Sequence, residues 1–234
     1  MKLMISVTNE NEASIAYTSK AQLIDIKNPA EGSLGAQNPL IIKNIVASLP
    51  SNIEISATVG DVPYLPCTIA QAVYAVASFG VNYVKIGFKG CTKTNEAENL
   101  ASTIVHSIDK INTHIVVGCY ADYEDNNILS PFEILQAVKN TGISGILIDT
   151  LEKKGKNIFD YMSVEELKKF TNTAHDYKLL VALAGSIKYE HIDTLKKIGT
   201  DISGVRGAIC DGDRMGMLNS EKIKKFLNKI SWAI

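Results

Sequence analysis

Eight short apolar runs, spaced along the whole chain, are the feature of this sequence that most limits its fold. They cover residues 3–7, 23–27, 53–59, 83–88, 115–119, 145–149, 179–184 and 202–206. Apolar residues at three- or four-residue steps lie between them, around 40–45, 69–76, 100–111, 132–138, 164–171, 192–195 and 223–230. A period near 3.6 residues indicates an amphipathic helix, whereas a short bounded apolar run is typical of a buried strand. The sequence therefore predicts strands that alternate with helices.

This alternation determines the predicted fold class. Repeated strand–helix units build a parallel sheet covered by helices, and eight of them fit a chain of 234 residues as a closed barrel. We predict an α/β protein with a (β/α)8 TIM barrel fold, in which residues 1–234 form a single domain. A doubly wound open sheet is the alternative. Residues 28–39 are predicted to be a loop after the second strand.

Composition narrows the range of partners. Hydrophobic residues make up 46% of the chain and the formal net charge is −1, so the chain lacks the general positive field that attracts nucleic acid or an anionic membrane. No apolar run approaches the ~20 residues that span a bilayer, and we expect a cytoplasmic protein. The four cysteines have no spacing typical of a metal site. We predict no metal and no organic cofactor.

The second predicted strand places charged side chains inside the barrel. Side chains alternate along a strand, so Asp25 and Lys27 share one face while Ile24 and Ile26 share the other. The isoleucines suit the outer face, which meets apolar helices. Asp25 and Lys27 then point inward, near the C-terminal end of the strands, where barrel enzymes hold their active sites.

The fourth and sixth strands have the same pattern. In "NYVKIGF" (82–88) alternation turns Lys85 inward, and in "GILIDTLEKKG" (145–155) it turns Asp149 inward. A lysine lies in the next loop, and the four-residue gap from Asp149 favours Lys153 over its neighbour Lys154. Because alternate strands of a barrel fill common layers, these groups are expected to meet at about one height.

These charges allow two interpretations. Asp25 with Lys27, or Asp149 with Lys153, could be ion pairs that only support the structure. Burying a charge costs several kcal/mol per ion, however, and an aliphatic layer would serve stability as well. Charges from three strands together therefore favour a catalytic site.

Lysine is the reagent that this set offers. A lysine that is desolvated and crowded by a second cation has a lowered pKa, so its neutral amine can attack a carbonyl and form a Schiff base. Two inward lysines with two aspartates supply a nucleophile, a cation and proton carriers. This combination is typical of a class I aldolase, and alternation alone does not choose between the lysines.

The loops after the last two strands predict a phosphate site. Such loops of barrels often bind phosphate through backbone N–H groups. Here they contain Gly185 and Ser186, then Gly207 and Ala208, which are small enough for close approach to an anion. Alternation turns Arg206 inward, where its charged guanidinium is expected to contribute to binding of the anion. The expected substrate is a small phosphorylated carbonyl compound.

Four strings carry a resemblance to a known family. They are "DIKNPAEGSLGA" (25–36), "VKIGF" (84–88), "IDTLEKKG" (148–155) and "GVRGA" (204–208). With them the chain resembles the (5-formylfuran-3-yl)methyl phosphate synthase family, which acts early in methanofuran biosynthesis in methanogens and has relatives in methylotrophic bacteria. The resemblance extends from Met1 through the last predicted helix, and the first string is its most specific element.

The resemblance implies an activity and roles for individual residues. It implies that two molecules of glyceraldehyde 3-phosphate are condensed into a phosphorylated furan aldehyde, with loss of one phosphate and water. It also implies that Lys27 forms the Schiff base and that Lys85 is the general base. Asp25, Asp149 and Lys153 match the remaining charged positions of the family's site.

Two alternative functions remain open. Another class I aldolase, similar to deoxyribose-phosphate aldolase, would use the same lysine chemistry without releasing phosphate. A catalytically silent barrel that only binds a phosphorylated metabolite would not form an imine. The sequence leaves open whether the chain forms a homo-oligomer.

Overall fold

The computed structural model describes residues 1–153 and 155–231, and its centre is a closed barrel of eight parallel strands. In chain order these are β1 (Lys2–Val7), β2 (Leu23–Ile26), β3 (Glu54–Thr58), β4 (Tyr83–Gly87), β5 (His114–Tyr120), β6 (Gly145–Asp149), β7 (Leu180–Leu183) and β8 (Ile202–Val205). Each strand pairs with the next one, and β8 closes the ring by pairing with β1. The predicted (β/α)8 barrel is confirmed, and the open sheet is wrong.

Helices connect the strands around the outside of the barrel. They are α1 (Glu10–Thr18), α2 (Pro39–Ser48), α3 (Pro66–Ala77), α4 (Thr94–Ser107), α5 (Tyr123–Asn126), α6 (Pro131–Val138), α7 (Val164–Asp176), α8 (Ile192–Ile198) and α9 (Ser220–Ser231). Single 3-10 turns lie at Pro29–Glu31, Ile158–Asp160, Tyr189–His191 and Gly207–Ile209. The seven predicted helical segments correspond to α2 to α4 and α6 to α9, whereas α1 and the short α5 were not predicted.

Two apolar clusters occupy the two faces of the strands. The larger one lies between the barrel and the helices and includes Ile24 and Ile26. The smaller one lies inside the barrel and consists of Leu34, Val116, Tyr120, Leu147, Ala182 and Ala184. The isoleucines of β2 therefore face the helices, as alternation predicts, and the intervening Asp25 faces the interior.

Helix α1 is held to the barrel by a buried ion pair. Its buried apolar residues are small, Ala13 and Ala16, and Ile15 is only partly buried against the core. Glu12 on the same helix lies 2.8 Å from Nη1 of Arg206, and the two side chains are only 2% and 5% exposed. The carboxylate also accepts hydrogen bonds from the backbone N–H and the hydroxyl of Thr8, at 2.8 and 2.9 Å. Charge thus supplies attachment that the small apolar face does not.

Within residues 1–153 and 155–231, no helix combines the length and the apolar character needed to cross a membrane.

Loss of the buried carboxylate of Glu12 should destabilise the fold more than loss of a surface carboxylate. We expect Glu12→Gln to lower the free energy of unfolding by about 3 kcal/mol, because the buried guanidinium loses its counter-charge. Glu54→Gln is the matched control, since Glu54 pairs with Lys2 at 2.7 Å but both side chains are partly exposed, and it should cost less than about 1 kcal/mol. Urea denaturation measures both, and equal losses would contradict the expectation.

Candidate active site

Asp25 and Lys85 form an ion pair inside the barrel. Lys85 Nζ lies 2.6 Å from Asp25 Oδ1, and both side chains are nearly inaccessible. The strand register sets Asp25 beside Ser6 on β1 and Ser56 on β3, whose hydroxyls donate to the carboxylate at 3.0 and 2.7 Å. Burial alone would raise the pKa of Asp25, but the charges of Lys85 and Lys27 outweigh burial and lower it. The ion-pair partner of Asp25 is Lys85 and not Lys27.

A second pair, Asp149 with Lys153, lies at the C-terminal end of β6. Lys153 Nζ lies 2.6 Å from Asp149 Oδ1 and also donates to the carbonyl and the hydroxyl of Thr150, at 2.7 and 2.9 Å. These three acceptors use all the donors of the ammonium. Burial would raise the pKa of Asp149, but Lys153 and Lys27 lower it to about 2. The alternative residue, Lys154, lies outside the described part of the chain.

Lys27 differs from the other two lysines of the site. It comes directly after the last residue of β2 and is 8% exposed. Its Nζ donates to the carbonyl oxygen of Ser33 at 3.2 Å, and within the described residues it forms no ion pair within 4.0 Å. Burial lowers the pKa of Lys27 to about 8, although Asp149 and Asp25 act in the opposite direction. A useful fraction of this amine is therefore neutral near pH 7.

The β2 loop (residues 28–38) follows Lys27 and packs into the barrel interior through Leu34. Its Leu34 is buried in the interior cluster with Tyr120 and Leu147, so the loop is anchored by an apolar side chain inside the barrel. A Cβ atom on Gly118 would overlap Leu34, which explains the glycine at that point of β5. The loop carries the Ser33 carbonyl, and its anchoring fixes the acceptor for Lys27.

Polar contacts hold the same loop from the β3 side. Asp61 accepts a hydrogen bond from the backbone N–H of Leu34 at 2.9 Å and another from the hydroxyl of the fully buried Tyr120. Thr58 donates to the carbonyl oxygens of Leu34 and Gly35. Neither Asp61 nor Tyr120 was predicted at the site, because neither belongs to the inward charges of the even-numbered strands.

These groups open into one cavity of about 390 Å³, which is within the range of small-molecule sites. Nine of the ten predicted site residues line the cavity: Lys27, Lys85, Asp149, Lys153, Gly185, Ser186, Arg206, Gly207 and Ala208. The tenth, Asp25, lies beneath the wall as the partner of Lys85. The structure therefore brings together side chains and backbone from β2, β4, β6, β7 and β8.

The loops after β7 and β8 line this cavity with four of the predicted residues, Gly185, Ser186, Gly207 and Ala208. Gly185 and Ser186 have consecutive positive φ values of 96° and 51°, a conformation that turns the chain sharply. Gly207 and Ala208 begin a 3-10 turn after β8. In the part of the chain that the structure describes, the N–H groups of Ser186, Gly207 and Ala208 have no protein acceptor.

The predicted contact of Arg206 with a phosphate stays a prediction, and in this structure its guanidinium is bound to protein acceptors. Nε donates to the carbonyl of Arg214 at 2.6 Å, Nη1 to Ser6 O at 2.9 Å and Glu12 at 2.8 Å, and Nη2 to Glu12 at 3.1 Å and Gly216 O at 3.4 Å. These bonds use all five N–H donors of an arginine. Strand alternation correctly predicts that Arg206 points inward. It does not show that α1 supplies the carboxylate of Glu12 as a partner for this guanidinium.

Arg214 is a cavity residue that the sequence analysis missed. It lines the same cavity, is partly buried, and donates from Nη2 to the carbonyl of Gly32 at 2.9 Å. It lies in the irregular segment between β8 and α9, where no periodic pattern indicates the direction of a side chain. Among the described residues, no three His, Cys, Asp or Glu side chains are grouped so that they could hold a metal ion.

Comparison with known proteins identifies relatives that match nearly the whole chain. Residues 3–227 match the sequence model of a family described as 4-HFC-P synthase. The (5-formylfuran-3-yl)methyl phosphate synthase of Methanopyrus kandleri is 39% identical over 234 residues, which cover 98% of this chain and 99% of that protein. The enzyme of the same name from Methanocaldococcus jannaschii is 42% identical over 229 residues, with coverage of 96% and 97%.

A solved structure supports the fold alone. Phosphoribosyl anthranilate isomerase from Thermotoga maritima resembles this chain with a TM-score of 0.69 over 98% of each chain, at 14% sequence identity. At that identity the likeness concerns the barrel and not the chemistry.

The titration of Lys27 can be tested by competitive labelling. Acetic anhydride modifies the neutral amine, so the labelling rate of Lys27 should rise with a midpoint near pH 8, well below the ~10.4 of an unperturbed lysine. Asp149→Asn removes a negative charge that favours the ammonium, and it should move this midpoint to lower pH. Peptide mass spectrometry reads each lysine separately. Labelling of Lys27 in step with the surface lysines would refute the shift.

Proposed function

The chain belongs to the 4-HFC-P synthase family, and from this premise we propose that it condenses two molecules of glyceraldehyde 3-phosphate into (5-formylfuran-3-yl)methyl phosphate through a Schiff base on Lys27. One inorganic phosphate and two water molecules leave in the balanced reaction. The product enters methanofuran biosynthesis. The members of this family are enzymes, and the substrate and the covalent mechanism are the parts that we propose.

The observation that carries the proposal is the state of the Lys27 amine. Its only acceptor in the described chain is the carbonyl of Ser33, and its pKa is near 8. Lys85 is bound to Asp25, and the donors of Lys153 are all used. Of the three lysines, Lys27 is therefore the best nucleophile for a carbonyl carbon.

The first half of the proposed reaction forms an enamine. The neutral Lys27 attacks the carbonyl of one triose phosphate, a C–N bond forms, and the carbonyl oxygen leaves as water to give an iminium ion. Lys85, as the proposed general base, then takes the proton from the adjacent carbon, the C–H electron pair forms the C=C bond of the enamine, and the C=N π pair moves onto the nitrogen. Asp25, 2.6 Å from Lys85 Nζ, stabilises the ammonium that results.

The second half builds the ring. The second triose phosphate loses its C2 proton and its phosphate by elimination, and the enamine carbon attacks the C3 of the resulting unsaturated aldehyde to form the C–C bond. The C2 hydroxyl oxygen of the second triose then closes onto the iminium carbon, the C2 hydroxyl of the first triose leaves as the second water, and expulsion of the Lys27 amine gives the furan. Aromatisation makes the sequence favourable. Asp149, an anion at neutral pH, and Lys153 keep charge fixed beside the reacting carbons.

Borohydride trapping tests the Schiff base. Reduction in the presence of glyceraldehyde 3-phosphate should leave a stable adduct on the peptide that contains Lys27, and Lys27→Met should yield neither adduct nor furan aldehyde. Inorganic phosphate and product mass are measured in parallel. An adduct without release of phosphate would favour the aldolase alternative, whereas full turnover with an unmodified Lys27 would exclude the covalent mechanism.

The role of Lys85 as a base can be separated from its role as a charge. Lys85→Met should still form the trapped adduct on Lys27 but should slow phosphate release by about 100-fold or more. Lys85→Arg is the matched control, because arginine keeps a cation beside Asp25 but does not deprotonate. It should be as slow as Lys85→Met. Near-normal turnover of Lys85→Arg would show that only the charge is needed.

A further inference from the structure

The chain contains only two arginines, Arg206 and Arg214, among 24 lysine and arginine residues, and both line the active-site cavity. Guanidinium groups bind phosphate through two parallel hydrogen bonds, which lysine cannot form. Because all five donors of Arg206 are used by protein acceptors, Arg206 serves the structure. In the described residues Arg214 makes one side-chain hydrogen bond, to Gly32 O, which leaves its other donors available.

The backbone around Arg214 places it next to the free N–H groups of the β8 loop. A Cβ atom added to Gly207 would lie 3.6 Å from Arg214 Cβ, so the two residues are packed side by side. The Arg214 carbonyl accepts the bond from Arg206 Nε, and Arg206 is itself fixed by Glu12. The buried ion pair of α1 thereby positions Arg214 at the cavity wall.

We propose that Arg214 binds a phosphate group of the substrate, together with the backbone N–H groups of Gly207 and Ala208, while its Nη2 holds the β2 loop at Gly32. The inference rests on the proposed function for the identity of the molecule that carries the phosphate. It replaces Arg206 as the phosphate-binding arginine, and it assigns Arg214 to the substrate site.

The bond to Gly32 connects phosphate binding to the nucleophile. Gly32 precedes Ser33, whose carbonyl accepts the hydrogen bond from Lys27 Nζ. A phosphate bound to Arg214 adds a second, charged partner to the side chain that already holds this loop. Binding of the phosphorylated substrate therefore stabilises the loop conformation that orients Lys27.

Phosphate affinity measured on the full chain tests the proposal. We expect Arg214→Met to weaken the binding of inorganic phosphate at least ten-fold in isothermal titration calorimetry. Arg214→Lys should retain part of the affinity, since it keeps the charge and loses the paired geometry. Lys43→Met, which removes an exposed cation from α2, is the control and should bind phosphate as the unmodified chain does. Unchanged affinity in Arg214→Met would overturn the proposal.

A second measurement needs no variant and therefore does not depend on whether Arg214→Met folds. Phenylglyoxal modifies arginine, and peptide mass spectrometry can monitor the two arginines separately. Modification should occur at Arg214, inorganic phosphate should slow it, and Arg206 should react only after unfolding. Modification of Arg214 at the same rate with and without phosphate would overturn the proposal.

The two proposals can fail separately. Phosphate binding and arginine protection require neither an imine nor turnover. Loss of phosphate affinity in Arg214→Met, in a chain that makes no furan aldehyde from glyceraldehyde 3-phosphate, would support the role of Arg214 and refute the proposed reaction. Normal phosphate affinity in Arg214→Met, in a chain that makes the furan aldehyde, would refute the role of Arg214 and support the proposed reaction.

Discussion

The burial of charge inside the barrel is the constraint on which the site depends. Lys27, Lys85 and Lys153 lie with Asp25 and Asp149 at the C-terminal end of the barrel. When all five side chains are ionised, this group carries one positive charge in excess. Each buried ion costs several kcal/mol unless it is paired and hydrogen-bonded. Two lysines form short pairs of 2.6 Å, and the third, Lys27, forms no ion pair with a described carboxylate. Loss of a proton from Lys27 removes the excess charge of this group, which is why burial favours the neutral amine at this position.

A neutral amine is useful only if it is held in place, and the β2 loop provides this. The loop is fastened at Leu34, whose side chain lies in the interior cluster and whose backbone N–H donates to Asp61, which also accepts the hydroxyl of Tyr120. The carbonyl of Ser33, the residue before Leu34, accepts the hydrogen bond that Lys27 donates within the described residues. A carbonyl oxygen orients the amine without supplying the negative charge that would restore its proton. The string that best identifies the family in this sequence is thus the segment that holds Lys27, the nucleophile that we propose.

Strand periodicity determined how much of the fold and the site could be predicted from the sequence. The eight strands and the inward direction of Asp25 and Lys85 could be obtained because a strand buried on both faces leaves few places for a charge. Helix α1 could not, because its buried residues are Glu12, Ala13 and Ala16, which produce a weak hydrophobic period. The pairing of Asp25 with Lys85 also could not, because it depends on the side-chain positions of three adjacent strands. Periodicity along one strand predicts the direction of a side chain. Its ion-pair and hydrogen-bond partners depend on the register between neighbouring strands.

The two arginines show the same distinction at the scale of single donors. Arg206 and Arg214 both face the cavity, and charge alone does not tell them apart. They differ in the acceptors around them. Glu12 on α1 and the carbonyls of Ser6, Arg214 and Gly216 together accept from every N–H of Arg206, whereas among the described residues Arg214 donates only to the carbonyl of Gly32. A guanidinium whose donors are all used gains little from an anion, because each new bond would replace an existing one. The cation with unused donors is therefore the one that an anionic substrate can engage, and the buried pair beneath it fixes where that cation lies.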